Sequence, residues 1–228
     1  MYFLIHACPS RMWYVNDYLV PSMTAQGIKK NEIQIICDKN ADGNLESCMQ
    51  SFKNIRKLSP KSESVWHLQD DVVIADDFAK TARANDYRGV VNGFCNAYNE
   101  GGRMHTTGYT VPFYAWFSFP CIHIPNELAE ECAAWFYSEE IQTQAFIRKL
   151  VAEQKGDDTI WRMFMERRHP DEIVVNLAPN MVDHVDYLLG GSMVAPKRKA
   201  ERRSFYWENP EIVERLEERL RADGRLHE

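Results

Sequence analysis

Three short apolar runs, Tyr2–Ala7, Ile33–Cys37 and residues 65–68, are separated by segments whose apolar residues recur at helical spacing. Strands of this length joined by helices pair in parallel, because a parallel crossover needs a dozen or more residues and a helix supplies them. Met12, Val15 and Leu19 begin the first helical segment, with Pro21 bending it and Gly27 closing it. Asn44 caps the second, in which Leu45, Cys48, Met49, Phe52 and Ile55 follow the i, i+3, i+4, i+7 rule. The expected fold is therefore α/β, a mixed, mostly parallel sheet flanked by helices.

The third run ends unusually. Residues 65–78 read V-W-H-L-Q-D-D-V-V-I-A-D-D-F, so a strand apolar enough to be buried leads straight into Asp70 and Asp71. Ionised carboxylates near a core need a positive partner, which suggests a bound cation or a catalytic role. Two Asp residues at a strand-to-helix junction also serve as turn and cap residues, and this stretch alone does not separate the two readings. Asp76 and Asp77, just before Phe78, read as a helix start. Asp38 follows the second strand, at the place where open α/β sheets bind ligands.

Further along, residues 89–94 suit a fourth strand, and 96–108 form a polar, Gly-rich loop that is either an ordinary exposed connection or a loop near a site. The aromatic run 113–119, closed by Pro120, is expected in the core. Asn126 caps a helix with Leu128, Cys132, Trp135 and Phe136 on one face, and 141–154 makes another with Phe146, Ile147, Leu150 and Val151 inward. A second acidic pair, Asp157-Asp158, follows Gly156 at the start of a further helix; capping explains one of these carboxylates and leaves the other for chemistry. Residues 173–177 are a last strand, leading to N-M-V-D-H-V-D-Y at 180–187, where His184 is either a metal ligand or a satisfied surface histidine.

The 228 residues suffice for one large domain and a tail: 1–192 as the core, and 193–228 as a basic segment followed by a helix. In that helix Ile212, Val213, Leu216 and Leu220 form a stripe that must dock on the domain or on a partner. With 45% hydrophobic and 26% charged residues, and no apolar run near the roughly 20 needed to cross a bilayer, no membrane span is expected. The first residues read as part of the fold and not as a signal peptide, so the expected location is cytoplasmic. Cys8, Cys37, Cys48, Cys95, Cys121 and Cys132 contain no C-x-x-C pair, which fits neither a zinc site nor a disulfide framework. A net charge of −6 argues against a surface wholly devoted to nucleic acid, although Lys197, Arg198, Lys199, Arg202 and Arg203 crowd into one segment able to grip phosphates.

Three motifs in order, Q-D-D-V-V-I at 69–74, G-D-D-T-I-W at 156–161 and N-M-V-D-H-V-D-Y at 180–187, resemble the GT-A family of nucleotide-sugar glycosyltransferases, particularly small bacterial and bacteriophage members. The resemblance spans roughly residues 2–192 and leaves the basic tail outside. It implies a GT-A, Rossmann-like fold and a divalent ion, Mn2+ or Mg2+, held by Asp71 and His184, with Asp70 supporting donor or metal. Gln69 departs from the pattern, since many members carry an acid there. Asp158, with Asp157 beside it, matches the catalytic base of inverting members. Asp38 matches the nucleobase contact, while Cys8, Pro9 and Arg11 lie where the first strand meets the nucleotide. The implied reaction is transfer of a hexosyl or pentosyl group from a nucleoside-diphosphate sugar, UDP-sugar foremost, to a hydroxyl acceptor in a bacterial or phage-infected cell. A surface-saccharide precursor and a hydroxymethylated base in phage DNA are both open as acceptor. A nucleotidyltransferase acting on sugar phosphates, and a non-catalytic nucleotide-sugar binding module, stand as alternatives.

Overall fold

The computed structural model describes residues 1–38, 44–95, 109–112 (backbone only), 119–153, 155–191 and 207–226. Strands β1 (Tyr2–Ala7), β2 (Ile33–Cys37), β3 (Ser64–Gln69), β5 (Val90–Asn92), β6 (Tyr109–Pro112), β7 (Cys121–Pro125) and β8 (Ile173–Asn176) form a seven-stranded sheet in the order β2-β1-β3-β7-β5-β8-β6. β1 pairs in parallel with β2 and β3, and β5 with β8, whereas β7 and β6 run antiparallel to their neighbours. It is the mixed, mostly parallel α/β architecture expected from the sequence.

Alternate residues of the strands feed opposite layers. Phe3, Ile5, Trp66 and Leu68 join a cluster covered by the first helical segment, by α5 (Phe78–Ala84) and by α10 (Pro210–Ala222). Leu4, Val65, Ile122 and Ile124 join the other, covered by α3 (Asn44–Lys53), α4 (Ile55–Leu58), α6 (Asn126–Phe136) and α9 (Asp157–Arg168). Each large side chain fully buried here stabilises the fold by about 1.5–3 kcal/mol.

The first helical segment is α1 (Met12–Tyr14), a π-helical turn Val15–Leu19 and α2 (Val20–Ala25) in succession. Pro21 has no N–H for the carbonyl of Asp17, four residues back; that oxygen accepts instead from Arg219 Nη2 of α10 at 3.4 Å. α10 buries Val213 and Leu220 on this segment, Tyr18 donates its hydroxyl to Asp223, and Arg225 lies over the Trp13 ring. The apolar stripe of the tail helix is thus seated on its own domain.

Several elements differ from the periodicity reading. β7, absent from it, lies mid-sheet: five residues, C-I-H-I-P, are too short to show a period, and only the tertiary pairing with β3 and β5 defines them. The expected helix over 141–154 is two short helices, α7 (Glu139–Gln142) and α8 (Ala145–Ala152). Thr143 Oγ1 and Gln144 Nε2 donate back to the carbonyls of Glu139 and Glu140, a local competitor of helix continuation. The break turns Phe146 outward to 50% exposure, although Ile147 and Leu150 remain buried. The Gly-rich loop 96–108, the aromatic residues 113–118 and the basic residues Lys197, Arg198, Lys199, Arg202 and Arg203 lie outside the described residues.

Candidate active site at the carboxyl edge of the sheet

Because β1, β2 and β3 are parallel, their carboxyl ends share one edge, and the residues just past them, Cys8, Asp38 and Asp70, line it. Asp38 is half-buried there and donates its backbone N–H to the Ala7 carbonyl at 3.1 Å. Past Cys8 the chain turns through a 3-10 helix, Pro9–Arg11, which leaves Pro9 exposed and sends Arg11 into the interior at 4% exposure. Arg11 Nη1 donates to Asp70 Oδ1 at 3.1 Å and to Asp71 Oδ2 at 2.5 Å, while Nη2 reaches the Gly191 carbonyl at 2.6 Å. The backbone N–H of Cys8 takes the second oxygen of Asp70 at 2.7 Å. Both oxygens of Asp70 are therefore committed within the protein. Burial, then the charge of Asp71, still hold Asp70 above the usual carboxylate range, against the pull of Arg11 and of Cys8.

Beyond Asp71 the chain forms β4 (Val72–Ile74), which leaves the main sheet and pairs antiparallel with β9 (Val182–His184). The register sets Val72 opposite His184, and Val185 donates its N–H to the Asp71 carbonyl at 2.8 Å. His184 Nε2 consequently lies 3.3 Å from Asp71 Oδ1, and its Nδ1 lies 3.0 Å from Asp186 Oδ1. Asp71, His184 and Asp186 are all buried, and their ligand atoms lie within 4.8 Å of one another. Asp186 stands in the quoted motif but was not singled out by the sequence, where nothing marks it off from Asp183; only the fold puts it behind the imidazole.

The donor set suits a hard divalent cation. Ligands at neighbouring corners of an octahedron with bonds near 2.1 Å are about 3 Å apart, close to the Asp71–His184 separation. The carboxylate behind His184 is the arrangement that fixes the tautomer of a metal-bound imidazole. Asp70, Asp71, Asp183 and Asp186 are each at most 6% exposed, and Arg11 ion-pairs with Asp70 and Asp71.

The second acidic pair begins α9. Asp157 is 5% exposed and accepts from Asn44 Nδ2 at 3.2 Å. The side chain of Gln69, the last residue of β3, is near enough to favour its ionised form, which sets this pair close to the residue that precedes Asp70. Burial first, then the charge of Asp158, push Asp157 up to about 7, against the backbone N–H groups of the helix start and Gln69. Asp158 is half-buried; its Oδ1 accepts from the Thr159 N–H at 2.6 Å and lies 3.2 Å from the Thr159 hydroxyl.

This is a Rossmann-like α/β protein with a carboxylate–histidine cluster at the carboxyl edge of its parallel strands. No protein-family model matches the chain, and the curated proteins give no match either. Among solved structures, it is similar to the galactosyltransferase LgtC in complex with donor and acceptor sugar analogs, with a TM-score of 0.41 and 11% identity over 72% of this chain and 70% of that one. Residues 1–349 of TarS from S. aureus match with a TM-score of 0.45 and 13% identity over 82% of this chain and 61% of that one. A glycosyltransferase involved in the glycosylation of the major capsid of PBCV-1 matches with a TM-score of 0.40 and 11% identity over 95% of this chain and all of that one. Likeness at this level concerns the arrangement of elements; what the site does has to come from its own geometry. No helix among the described residues is long and apolar enough to cross a membrane.

Proposed function

We propose that the chain is a metal-dependent glycosyltransferase that moves a sugar from a nucleoside-diphosphate donor, UDP-sugar first among them, to a hydroxyl acceptor. The observation that carries this reading is the Asp71–His184–Asp186 cluster beside Arg11 at the carboxyl edge of β1 and β3. Asp71 and His184 would hold Mn2+ or Mg2+, with Asp186 orienting the imidazole; the ion would supply Lewis-acid stabilisation of the departing diphosphate. The Cys8–Arg11 turn receives the nucleotide next to Asp70, and Asp38 at the end of β2 meets the base.

The chemistry left to this chain is proton transfer and positioning. In the inverting reaction the acceptor oxygen forms its bond to the anomeric carbon as the bond to the diphosphate oxygen breaks. Asp158, the more accessible of its pair, takes the hydroxyl proton. Asp157, buried and bonded to Asn44, holds the start of α9 against α3 and so positions Asp158. The transferred group is a hexose or pentose. A saccharide hydroxyl is the acceptor this reading takes first, and a hydroxymethylated base gripped through the segment from Lys197 to Arg203 is the other acceptor class.

The test is donor turnover. UDP- and GDP-sugars incubated with the protein and Mn2+ are expected to release nucleoside diphosphate. Release of pyrophosphate from a nucleoside triphosphate and a sugar phosphate would make the protein a nucleotidyltransferase instead. Metal-dependent donor binding without turnover of any kind would leave a binding module.

A further inference from the structure

On the face of β1 and β3 covered by α3, His6, Cys48 and His67 bring their ligand atoms within 4.8 Å of one another. The residues come from three elements: His6 from the end of β1, His67 from β3, and Cys48 from α3, which packs across both. His67 is fully buried, and neither of its ring nitrogens has a hydrogen-bond partner. The surroundings are rings: Phe119 at 4.8 Å between centroids, the His6 imidazole at 5.2 Å, and Phe52 at 6.2 Å. An imidazole without partners in an aromatic core is costly, and no step of the proposed transfer uses it.

We propose that His6, Cys48 and His67 form a second metal site, selective for a soft divalent transition metal such as zinc. One thiolate and two imidazoles are a donor set that zinc takes and that magnesium refuses. Tetrahedral zinc places such donors about 3.5 Å apart, so separations within 4.8 Å close on an ion by small side-chain rotations. Access is from the edge, where His6 is half-buried and its Nε2 meets the Ser47 hydroxyl at 3.3 Å. Binding would expel the Cys48 thiol proton, so occupancy should rise with pH. The two ligand sets differ in chemistry: oxygen ligands with one imidazole at Asp71 and His184, sulfur with two imidazoles here.

Titration of the chelator-stripped protein with Co2+ tests this. One equivalent is expected to produce a thiolate-to-cobalt charge-transfer absorption that Zn2+ abolishes and that excess Mg2+ leaves intact. Cys48→Ser should remove the band, whereas Asp71→Asn should retain it. Should Cys48→Ser fail to fold, His6→Gln at the half-buried edge decides: at least tenfold weaker Co2+ binding supports the site. An absent band in the wild-type protein, a band that survives Cys48→Ser, or unchanged binding in His6→Gln would each overturn it.

Discussion

The chain carries two pairs of adjacent aspartates at the same edge of its sheet, and the protein treats them differently. Asp70 and Asp71 share one guanidinium, with Arg11 bonding to both. Among the described residues, no Lys or Arg forms an ion pair with Asp157 or Asp158; their partners are an amide, a hydroxyl and backbone N–H groups. Burial first, then the charge of Asp158, raise Asp157 to about 7, and burial raises Asp70 as well, but there Arg11 pulls the other way. A pair that shares a guanidinium has a positive charge favouring its ionised form and is suited to metal binding. A pair held by dipoles keeps a proton exchangeable near neutrality and is suited to moving one.

The most severe way to break this contrast is to remove the cation. Arg11→Met leaves Asp70 and Asp71 buried without their partner and should lower stability by about 3–5 kcal/mol, read as the loss in urea unfolding free energy. If the variant loses under 1 kcal/mol, Arg11 does not hold the pair. Next comes Asp71→Asn, which keeps the shape but withdraws one metal ligand. Donor turnover should fall by about 100-fold or more, and the Mn2+-dependent rise in melting temperature should vanish, since even outer-shell changes at metal sites cost 10–100-fold. An undiminished Mn2+ shift in this variant would move the ion elsewhere.

The contrast also marks how far the sequence could be read. Both acidic pairs were legible as anomalies, because carboxylates at the end of a buried strand or doubled at a helix start exceed what capping requires. The β1–β3 half was legible for the same local reason: strand-length apolar runs alternate with clear helical periods. Arg11 was placed near the nucleotide only by resemblance, and nothing in C-P-S-R signals that it turns inward. The split in roles between Asp157 and Asp158 depends on burial and on Asn44, 113 positions away in the chain, and such a contact leaves no periodic trace. Strands β4 and β9, three residues each, are defined by pairing with one another, so the meeting of Asp71 with His184 is a tertiary fact. His6, Cys48 and His67 look unrelated in sequence, where spacing rules for zinc sites look for cysteines close together.

A gentler test works through pH. Asp157 binds its proton more tightly in the folded state, up to about 7, than in the unfolded chain at about 3.8. The folded state therefore holds more protons in that window, and this group's contribution to stability falls as pH rises from about 4 through about 7. His6, lowered by burial to about 4, has the opposite slope, with stability lost as pH falls from 6.5 through about 4. Asp157→Asn should remove only the first effect, gaining on the order of 2 kcal/mol over the wild type at pH 8 and nothing at pH 4. Equal gains at both pH values would mean that the substitution acts by packing. Catalysis separates the pair again: Asp158→Asn should lower kcat with KM little changed, as expected for a lost proton acceptor.

The smallest expected effect bears most directly on how the two pairs are joined. Gln69 lies next to Asp70 in the chain, and its side chain favours the ionised form of Asp157, so it sits between the end of β3 and the start of α9. Gln69→Leu preserves approximate size and removes that polar group. Its loss should raise the Asp157 midpoint by less than about one unit, moving the neutral-pH fall in stability upward. Gln69→Glu presses harder, since a third carboxylate beside Asp157 and Asp70 adds like charge to both pairs at once. If its midpoint moves no further than that of Gln69→Leu, the two acidic pairs are electrostatically independent and only the backbone connects them. A larger rise in Gln69→Glu, reversed by adding Asp70→Asn, would show that one field spans the whole edge.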